Sequence, residues 1–309
     1  MITVVIAAKP EQAEIKAISA ARNLNYPTEK LEILVARGRQ PSAQRNMAAR
    51  SAKGEFIYFL DDDSRPFPGN LKKAVAHFAS PEVIMVGGPN ICPSDAPKLL
   101  QAFALTMGSK LAFGPSAARY RPIGKARSSG EKELILCNLL VRKEIFLKLG
   151  GFDEKLYPNE ENAFMDEIQE QGGRLLYDPE IVVYRHPRST LNAFCKMLMT
   201  YGRGRAEQFR LKPTLGSAPN FVPPLFCIFL LALPFLPALS LWVLALYFAL
   251  VFVQAVVLVP LRKLLWIPGL MALIFFSHVL YGLGFWRGCF TKPKPPVKAV
   301  VSEIKVERM

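Results

Sequence analysis

Three consecutive aspartates, Asp61, Asp62 and Asp63, directly follow the apolar run Phe56–Leu60. Neighbouring carboxylates repel one another, so a strand end gains no stability from carrying three of them. Carboxylate oxygens suit Mg²⁺ and Mn²⁺, and one or two of them suffice for Mg²⁺ when substrate phosphates complete the coordination. The spacing of Asp61 and Asp63 therefore predicts a divalent-cation site. The alternative is a solvated turn with helix-capping carboxylates.

A second acidic pair, Glu160 and Glu161, lies at the start of a predicted helix over residues 161–171. Acidic residues in the first turn of a helix complement its dipole, which is one explanation for the pair. A carboxylate within reach of an acceptor hydroxyl also serves as a general base. The two explanations are compatible, because an acid in the first helical turn can also serve as a base.

Strand and helix patterns alternate over the first 190 residues. The strands and helices that they predict must position these carboxylates. The order predicts an α/β fold with a mostly parallel sheet flanked by helices, in which ligands bind at the carboxyl ends of the strands. Apolar, β-branched runs predict strands at Ile2–Ala8, Glu32–Ala36, Phe56–Leu60, Val83–Val86, Arg174–Tyr177 and Ile181–Tyr184. Helices are predicted over 10–23, 41–53, 69–79 and 161–171.

Two further segments have distinctive compositions. Residues 119–130 are basic and small, which predicts a mobile loop that acts as a substrate lid. Residues 189–210 predict an amphipathic helix at a membrane interface, where Arg203 and Arg205 would face phosphates.

Long uncharged runs predict membrane segments near the C-terminus. Residues 221–259 carry no charge and are too long for one span, so we expect a helical hairpin broken at Pro234 and Pro237. Residues 264–286 form a third segment of spanning length. Three complete crossings would place the basic residues after Arg287 outside, against the positive-inside rule. Either the third segment is re-entrant or one of the first two does not cross.

The composition excludes several classes of protein. The 309 residues are 51% hydrophobic with a net charge of +14, which excludes intrinsic disorder and a purely soluble protein. The basic balance favours anionic lipids and phosphate-bearing ligands. Five cysteines without a CxxC pair indicate a reducing compartment. No zinc-finger spacing or RNA-binding motif is present, so no nucleic-acid partner is expected.

Several blocks of the chain together resemble the inverting family 2 glycosyltransferases of GT-A fold, over roughly residues 1–210. The blocks are QRNMAARSAKGEFIYFLDDDS (44–64), CNLLVRKEIFLKLGGFDE (137–154) and NEENAFMDEIQEQGG (159–173). The tail SHVLYGLGFWRG (277–288) resembles membrane-anchored bacterial members that build exopolysaccharide or lipid-linked oligosaccharide.

The resemblance implies a role for individual residues. Glu161, eleven residues before Gly172, takes the position of the catalytic base, where the family usually has Asp. Asp61 and Asp63 would hold Mg²⁺ or Mn²⁺, with His186 as a further ligand or a structural histidine. The other residues divide between the donor site (Glu11, Arg45, Asp61 and Asp62) and the acceptor site (Cys137, Asn138, Glu160, Arg203 and Arg205), with ordinary strand packing as the alternative for Cys137 and Asn138.

The resemblance also implies a function. We expect a sugar to pass from a nucleotide-diphosphate-sugar donor to a lipid-linked acceptor at the cytoplasmic face of the inner membrane. Membrane lipids and polysaccharide-assembly proteins are the further expected partners. The alternatives are a polyprenyl-phosphate sugar synthase and a non-catalytic scaffold of a polysaccharide assembly complex.

The expected organisation is a catalytic domain at 1–190, an interfacial helix and linker at 191–220, membrane segments at 221–290 and a basic tail at 291–309. Two features depart from the family pattern. The second strand lacks the usual Asp pair before Gly-Ser, and the first ends in Ala-Ala-Lys-Pro. The motif Q-x-x-R-W of processive synthases is absent from the sequence, which argues against a processive enzyme.

Overall fold

A computed structural model describes residues 1–156, 159–211, 213, 215–291 and 303–309 of the chain. Within them the chain divides into two compact units. The first unit contains residues 1–93, 118–186 and 303–309, and the second contains residues 94–117 and 187–291. The predicted linker at 191–220 and the predicted basic tail at 291–309 lie partly outside the described residues.

The first unit contains all the described strands. Most of the longer strands are apolar and buried on both faces, as expected where helices cover both sides of a sheet. The strands are β1 (Ile2–Ala8), β2 (Leu31–Arg37), β3 (Phe56–Asp61), β4 (Arg65–Pro66), β5 (Val83–Gly87), β6 (Asn90–Ile91), β7 (Arg127–Ser129), β8 (Leu139–Arg142), β9 (Arg174–Tyr177), β10 (Val183–Tyr184) and β11 (Lys305–Arg308).

The helices are divided between the two units. The first unit contains α1 to α3, α6 and α7, and the second contains the others. In chain order they are α1 (Lys16–Arg22), α2 (Pro41–Ser51), α3 (Asn70–His77), α4 (Lys98–Met107), α5 (Lys110–Phe113), α6 (Lys143–Lys148), α7 (Glu160–Glu170), α8 (Leu191–Leu211), α9 (Val222–Ala232), α10 (Ser240–Leu258) and α11 (Ile267–Phe290).

Eight strands form a mixed sheet in the order β11-β2-β1-β3-β8-β5-β9-β7. Strands β1, β2, β3, β5 and β9 run in one direction, as the sequence predicts. Strand β8 lies antiparallel between β3 and β5. The prediction of a mostly parallel sheet did not include this strand. Because β8 starts at the carboxyl ends of its neighbours, the turn Leu136–Asn138 before it lies at the edge of the sheet where ligands are expected.

Two apolar layers sandwich the sheet. Alternate residues of β1 face opposite sides, with Val4 and Ile6 in one layer and Val5 in the other. Helices α1 and α3 contribute to the first layer, and helices α2, α6 and α7 contribute to the second. This arrangement fixes the carboxyl ends of β1, β2 and β3 side by side.

A three-stranded sheet in the order β4-β10-β6 forms a second, smaller element of the first unit. Strand β10 pairs with β4 in antiparallel and with β6 in parallel orientation. The Arg185 amide, just after β10, donates to the carbonyl of Ile91 at 3.0 Å. The small sheet therefore fixes the backbone at Arg185.

The C-terminal strand β11 was not predicted from the sequence. It pairs antiparallel with β2, and Arg37 Nε lies 2.9 Å from Glu307 Oε2 across the pair. The predicted tail thus includes a strand that covers the edge of the large sheet.

Residues 119–130, predicted to be a mobile lid, are held by arginine contacts instead. Arg127 Nη2 lies 2.5 Å from Glu133 Oε1, and the guanidinium carbon lies 4.5 Å from the centre of the Tyr177 ring. Arg119 Nη2 donates to Asn162 Oδ1 at 2.8 Å. These contacts tie the segment to α7 and β9.

The second unit contains three helical segments that are long and apolar enough to cross a membrane, by length and composition: 218–235, 240–258 and 261–290. A break at 233–239 separates α9 from α10, where the sequence predicts it. Helix α8 packs on α11, and a Cβ atom at Gly202 would lie 2.0 Å from the Tyr281 carbonyl oxygen. Gly202 thus allows two helix backbones to approach closely.

Candidate active site

Asp61, Asp62 and Asp63 lie at the carboxyl end of β3, beside the ends of β1 and β2. The amide of Asp61 donates to Ser64 Oγ at 3.2 Å, which turns the chain immediately after the strand. The Asp62 carboxylate accepts a 2.6 Å hydrogen bond from Gln12 Nε2 in the loop after β1. Asp62 therefore binds this loop, whereas Asp61 and Asp63 are held by a different partner.

That partner is Arg185. Its Nη1 lies 2.8 Å from Asp61 Oδ2, and its Nε lies 2.5 Å from Asp63 Oδ1. Burial alone would lower the pKa of Arg185, but the Asp61 and Asp63 carboxylates raise it above its usual value, so the guanidinium stays charged. Sequence reasoning selected the adjacent His186 and missed Arg185. The sequence signal for Arg185 was a basic side chain directly before His186 in the segment VVYRHPR.

Arg45, predicted to lie near the donor, connects the aspartates to the second acidic pair. Its Nη2 lies 2.8 Å from the other oxygen of Asp61, Oδ1, and its Nη1 lies 3.5 Å from Glu160 Oε1. Only 7% of the Arg45 side chain is exposed. We call this series of contacts, Glu160–Arg45–Asp61–Arg185–Asp63, the charge chain.

Asn46, next to Arg45 on α2, positions the segment that leads to α7. Its side chain makes two hydrogen bonds with the backbone of Phe152, at 2.8 and 2.9 Å. Gly151 has a φ of +80°, and a Cβ atom there would lie 2.5 Å from Asn46 Oδ1. Only glycine fits both the left-handed backbone and this close approach. Sequence reasoning quoted Asn46 but gave it no role.

Glu160 and Glu161 begin α7, but their environments differ. Glu160 is buried, and Glu161 is half-buried. Burial and, to a lesser extent, the neighbouring Glu161 charge raise the pKa of Glu160 to about 7 against the opposing effect of Arg45. The burial of Glu160 favours a place in the charge chain over the predicted contact with the acceptor.

Glu11 and Arg39 lie in the loops after β1 and β2, at the predicted nucleoside side of the site. Arg39 Nη2 lies 2.5 Å from Glu11 Oε1, and both side chains are exposed. Arg37 Nη1 donates to the Gln12 carbonyl at 2.8 Å. Residues 35–40, where the sequence departs from the family, therefore contact the loop after β1 through Arg37 and Arg39.

Cys137 and Asn138 lie in the turn before β8 and are buried. Asn138 Oδ1 accepts from the Tyr58 hydroxyl at 2.7 Å, and Asn138 Nδ2 donates to the Ile181 carbonyl at 2.7 Å. Burial and the nearby Asp61 carboxylate raise the pKa of Cys137 to about 12, so its thiol stays protonated. These contacts favour structural packing, the alternative to acceptor binding.

The remaining predicted residues are His186, Arg203 and Arg205. His186 is exposed and follows Arg185 directly. Arg203 and Arg205 belong to α8 in the second unit, where Arg203 Nε lies 3.3 Å from Glu207 Oε1 and Arg205 Nη1 donates to Gln208 Oε1. Both arginines are half-buried.

The Asp61 and Asp63 carboxylates fit a divalent cation. Each directs an oxygen at the same positive group, the Arg185 guanidinium, so the two side chains already converge on a cation. Among the described residues, no group of three or more His, Cys, Asp or Glu is arranged to hold a metal. Two carboxylates match a site that substrate phosphates complete.

Comparison with known proteins gives three similarities. Residues 16–147 match the family model Glycosyl transferase family 2. The succinoglycan biosynthesis protein ExoA of Rhizobium meliloti (strain 1021) is 24% identical over 248 residues, which cover 71% of this chain and 73% of that protein. The structure of mannosyltransferase PcManGT from Pyrobaculum calidifontis, in complex with GDP-Man and Mn²⁺, is 18% identical with a TM-score of 0.55, over 90% of this chain and 86% of that chain. These findings confirm the predicted fold class and show that residues 16–147 form a family 2 glycosyltransferase domain.

The raised pKa of Glu160 predicts how stability depends on pH. Its native pKa of about 7 lies above the ordinary 4.5, so the native state holds the proton more tightly than the unfolded chain. Its contribution to stability is therefore full below about pH 4.5 and is lost as the pH rises through about 7. We expect Glu160→Gln to stabilise the protein relative to wild type increasingly between pH 5 and pH 8, by at most about 3 kcal/mol.

The measurement is thermal unfolding of the full chain in detergent at pH 5, 6, 7 and 8. Glu167→Gln, a substitution of the same type on α7 at a half-buried residue, is the matched control. A stability difference between Glu160→Gln and wild type that does not change with pH would contradict the pKa assignment.

Proposed function

Because the chain is a glycosyltransferase with a family 2 domain, we propose that it transfers a sugar from a nucleotide-diphosphate-sugar donor to a lipid-linked saccharide acceptor during polysaccharide biosynthesis. The charge chain at the carboxyl edge of the sheet is the observation that carries this proposal. It joins a pair of carboxylates, which suit a cation that would bind a diphosphate, to α7, whose first turn carries the predicted base. Similarity to the succinoglycan biosynthesis protein ExoA supports the polysaccharide pathway.

Asp61 and Asp63 are the residues that would hold Mg²⁺ or Mn²⁺ in this proposal. A divalent cation bound there would supply positive charge to the leaving diphosphate. The loops that carry Glu11, Gln12 and Arg39 lie at the ends of the adjacent strands β1 and β2. A nucleoside bound along this edge would extend across those loops, as ligands do at the carboxyl ends of parallel strands.

Glu161 is the proposed base. It lies in the first turn of α7, one residue beyond Glu160, and its side chain is half-buried rather than enclosed. A carboxylate in this position can take the proton of an acceptor hydroxyl as the hydroxyl attacks the anomeric carbon. Attack opposite the leaving diphosphate inverts the configuration at that carbon. Glu160, held by Arg45, positions the start of the helix.

Three parts of the chain support a particular arrangement in the membrane, because each would lie on the same side of the bilayer. The catalytic sheet includes β11, so residues 305–308 lie on the side of the catalytic domain. Segment 94–117 leaves the first unit and returns to it within 24 residues, too few helical residues to cross about 30 Å and come back. Gln101 in that segment contacts Lys263, with 2.5 Å between Oε1 and Nζ. Residue 263 therefore lies on this side too.

We therefore propose that the chain enters and leaves the bilayer on one side within residues 218–258, and that α11 does not cross it. In this arrangement Arg262, Lys263 and Arg287 would lie together on the cytoplasmic side, in accord with the positive-inside rule. It would avoid the conflict that three complete crossings create. Donor sugars in the cytoplasm would then meet a lipid-linked acceptor at the inner face of the membrane.

We expect Glu161→Gln to fold and to bind the donor normally, but to lose a factor of roughly 10²–10⁴ in turnover, because the amide cannot accept a proton. The assay measures sugar transfer from a panel of nucleotide sugars with Mn²⁺, to a polyprenyl-diphosphate-linked saccharide and to polyprenyl phosphate in parallel. Glu167→Gln on the same helix is the control and keeps wild-type turnover.

Near-normal turnover by Glu161→Gln would show that the base lies elsewhere. Transfer to polyprenyl phosphate alone would replace the proposed acceptor. No consumption of any nucleotide sugar by the wild-type protein would contradict the enzymatic proposal and favour a scaffold.

We expect single cysteines at Leu261→Cys and Glu303→Cys to react with a membrane-impermeant maleimide only after the membrane is permeabilised, because both positions lie on the cytoplasmic side. Leu261 and Glu303 are both exposed, so the fold does not shield them. Labelling is compared with the parent chain, whose five cysteines set the background. Reaction of either introduced cysteine in intact cells would contradict the arrangement.

A further inference from the structure

The Asp61 carboxylate has both of its oxygens engaged by guanidinium groups. Oδ1 lies 2.8 Å from Arg45, and Oδ2 lies 2.8 Å from Arg185. Asp63 Oδ1 lies 2.5 Å from the same Arg185. A divalent cation that takes an oxygen from both aspartates would therefore compete with a positive group that already holds them.

Arg185 is the arginine that can give way. Arg45 is 7% exposed, and it is the only cation that contacts the buried Glu160 among the described ion pairs, so its departure would leave a buried carboxylate without a positive partner. Arg185 is 26% exposed and has no third carboxylate partner among the described ion pairs. Its backbone is held by the carbonyl of Ile91 after β10, so the side chain can move while the strand stays in place.

We propose that Arg185 is a resident counter-ion of the Asp61–Asp63 pair, which holds the two carboxylates together between turnovers and must leave them before a divalent cation binds. The proposal rests on the metal-dependent function proposed above. Arg185 is thus a positioning residue that sets the affinity for the cation. Without it, two carboxylates at close range would repel and separate.

Displacement has a further consequence for the order of binding. The freed guanidinium needs an anion, and a donor diphosphate that binds at the same edge supplies one with matching geometry. Cation and diphosphate would then favour one another's binding through Arg185, and such coupling is reciprocal.

The test measures binding of Mn²⁺ alone, by the loss of the free-ion signal in electron paramagnetic resonance, to the full chain in detergent. Four proteins are compared: wild type, Arg185→Gln, Arg185→Lys and Arg50→Gln. Arg50 is an exposed arginine in the last turn of α2, shortly before the start of β3, whereas the aspartates follow the end of that strand; its substitution changes the net charge equally. Thermal unfolding of each variant without metal verifies that it is folded.

We expect Arg185→Gln to bind Mn²⁺ at least about tenfold more tightly than wild type, because the competing charge is gone. The Mn²⁺ affinity of Arg185→Lys is expected to lie between those of wild type and Arg185→Gln. The ammonium keeps the charge but cannot contact both carboxylates as the planar guanidinium does. Arg50→Gln is expected to bind within about twofold of wild type, because charges further from the site are screened. We also expect Mn²⁺ to raise the unfolding temperature of Arg185→Gln more than that of wild type.

Equal Mn²⁺ affinity in wild type and both Arg185 variants, with binding observed, would overturn the counter-ion role and leave the metal-dependent function standing. An equal gain in Arg50→Gln would overturn it as well, because the effect would then be one of net charge. Absence of Mn²⁺ binding in all four proteins would overturn both the counter-ion role and the metal site. If Arg185→Gln does not fold, Arg185→Lys is compared with wild type instead. Tighter Mn²⁺ binding by Arg185→Lys supports the counter-ion role, and equal binding overturns it.

Discussion

Both oxygens of Asp61 face guanidinium groups, and this double contact is the constraint on which the site depends. Carboxylates that follow one another at a strand end repel, and repulsion within a partly buried edge is costly. Arg45 and Arg185 neutralise that charge from two sides. Arg45 also contacts Glu160, so the same compensation positions the start of α7 and, with it, Glu161. The proposed cation site and the proposed base are thus parts of one electrostatic arrangement.

The scaffold brings these side chains together from distant parts of the chain. Strand β3 carries the aspartates, α2 carries Arg45, and the small sheet around β10 holds the backbone at Arg185. The antiparallel strand β8 adds a buried turn beneath the site, whose Asn138 fixes Tyr58 of β3 through a hydrogen bond. A family 2 domain on this scaffold accounts for the catalytic class, and the surrounding contacts determine how the site is held.

The sequence predicted local features well and distant contacts poorly. Ile2–Ala8 was predicted to the residue because a short run rich in β-branched residues is typical of a buried strand. The first helix was expected from Pro10 but begins at Lys16, since the intervening loop is held by Arg37 and Asp62 instead. Arg185 lies 122 residues from Asp63, and no local pattern reports such a contact. Strand β11 gains its hydrogen bonds from the edge of β2, which only the fold provides.

Calorimetric titration of UDP and of GDP in the presence of Mn²⁺ asks whether the Asp61–Asp63 pair binds a donor diphosphate through a cation. We expect the wild-type chain to bind at least one of the two nucleotides in a Mn²⁺-dependent manner. We expect Asp63→Ala, which removes one of the two proposed ligands, to lose at least about tenfold in affinity. Asp95→Ala, at an exposed position of the second unit, keeps the wild-type affinity. Equal affinity in Asp63→Ala and wild type would show that the pair does not bind the diphosphate through a cation.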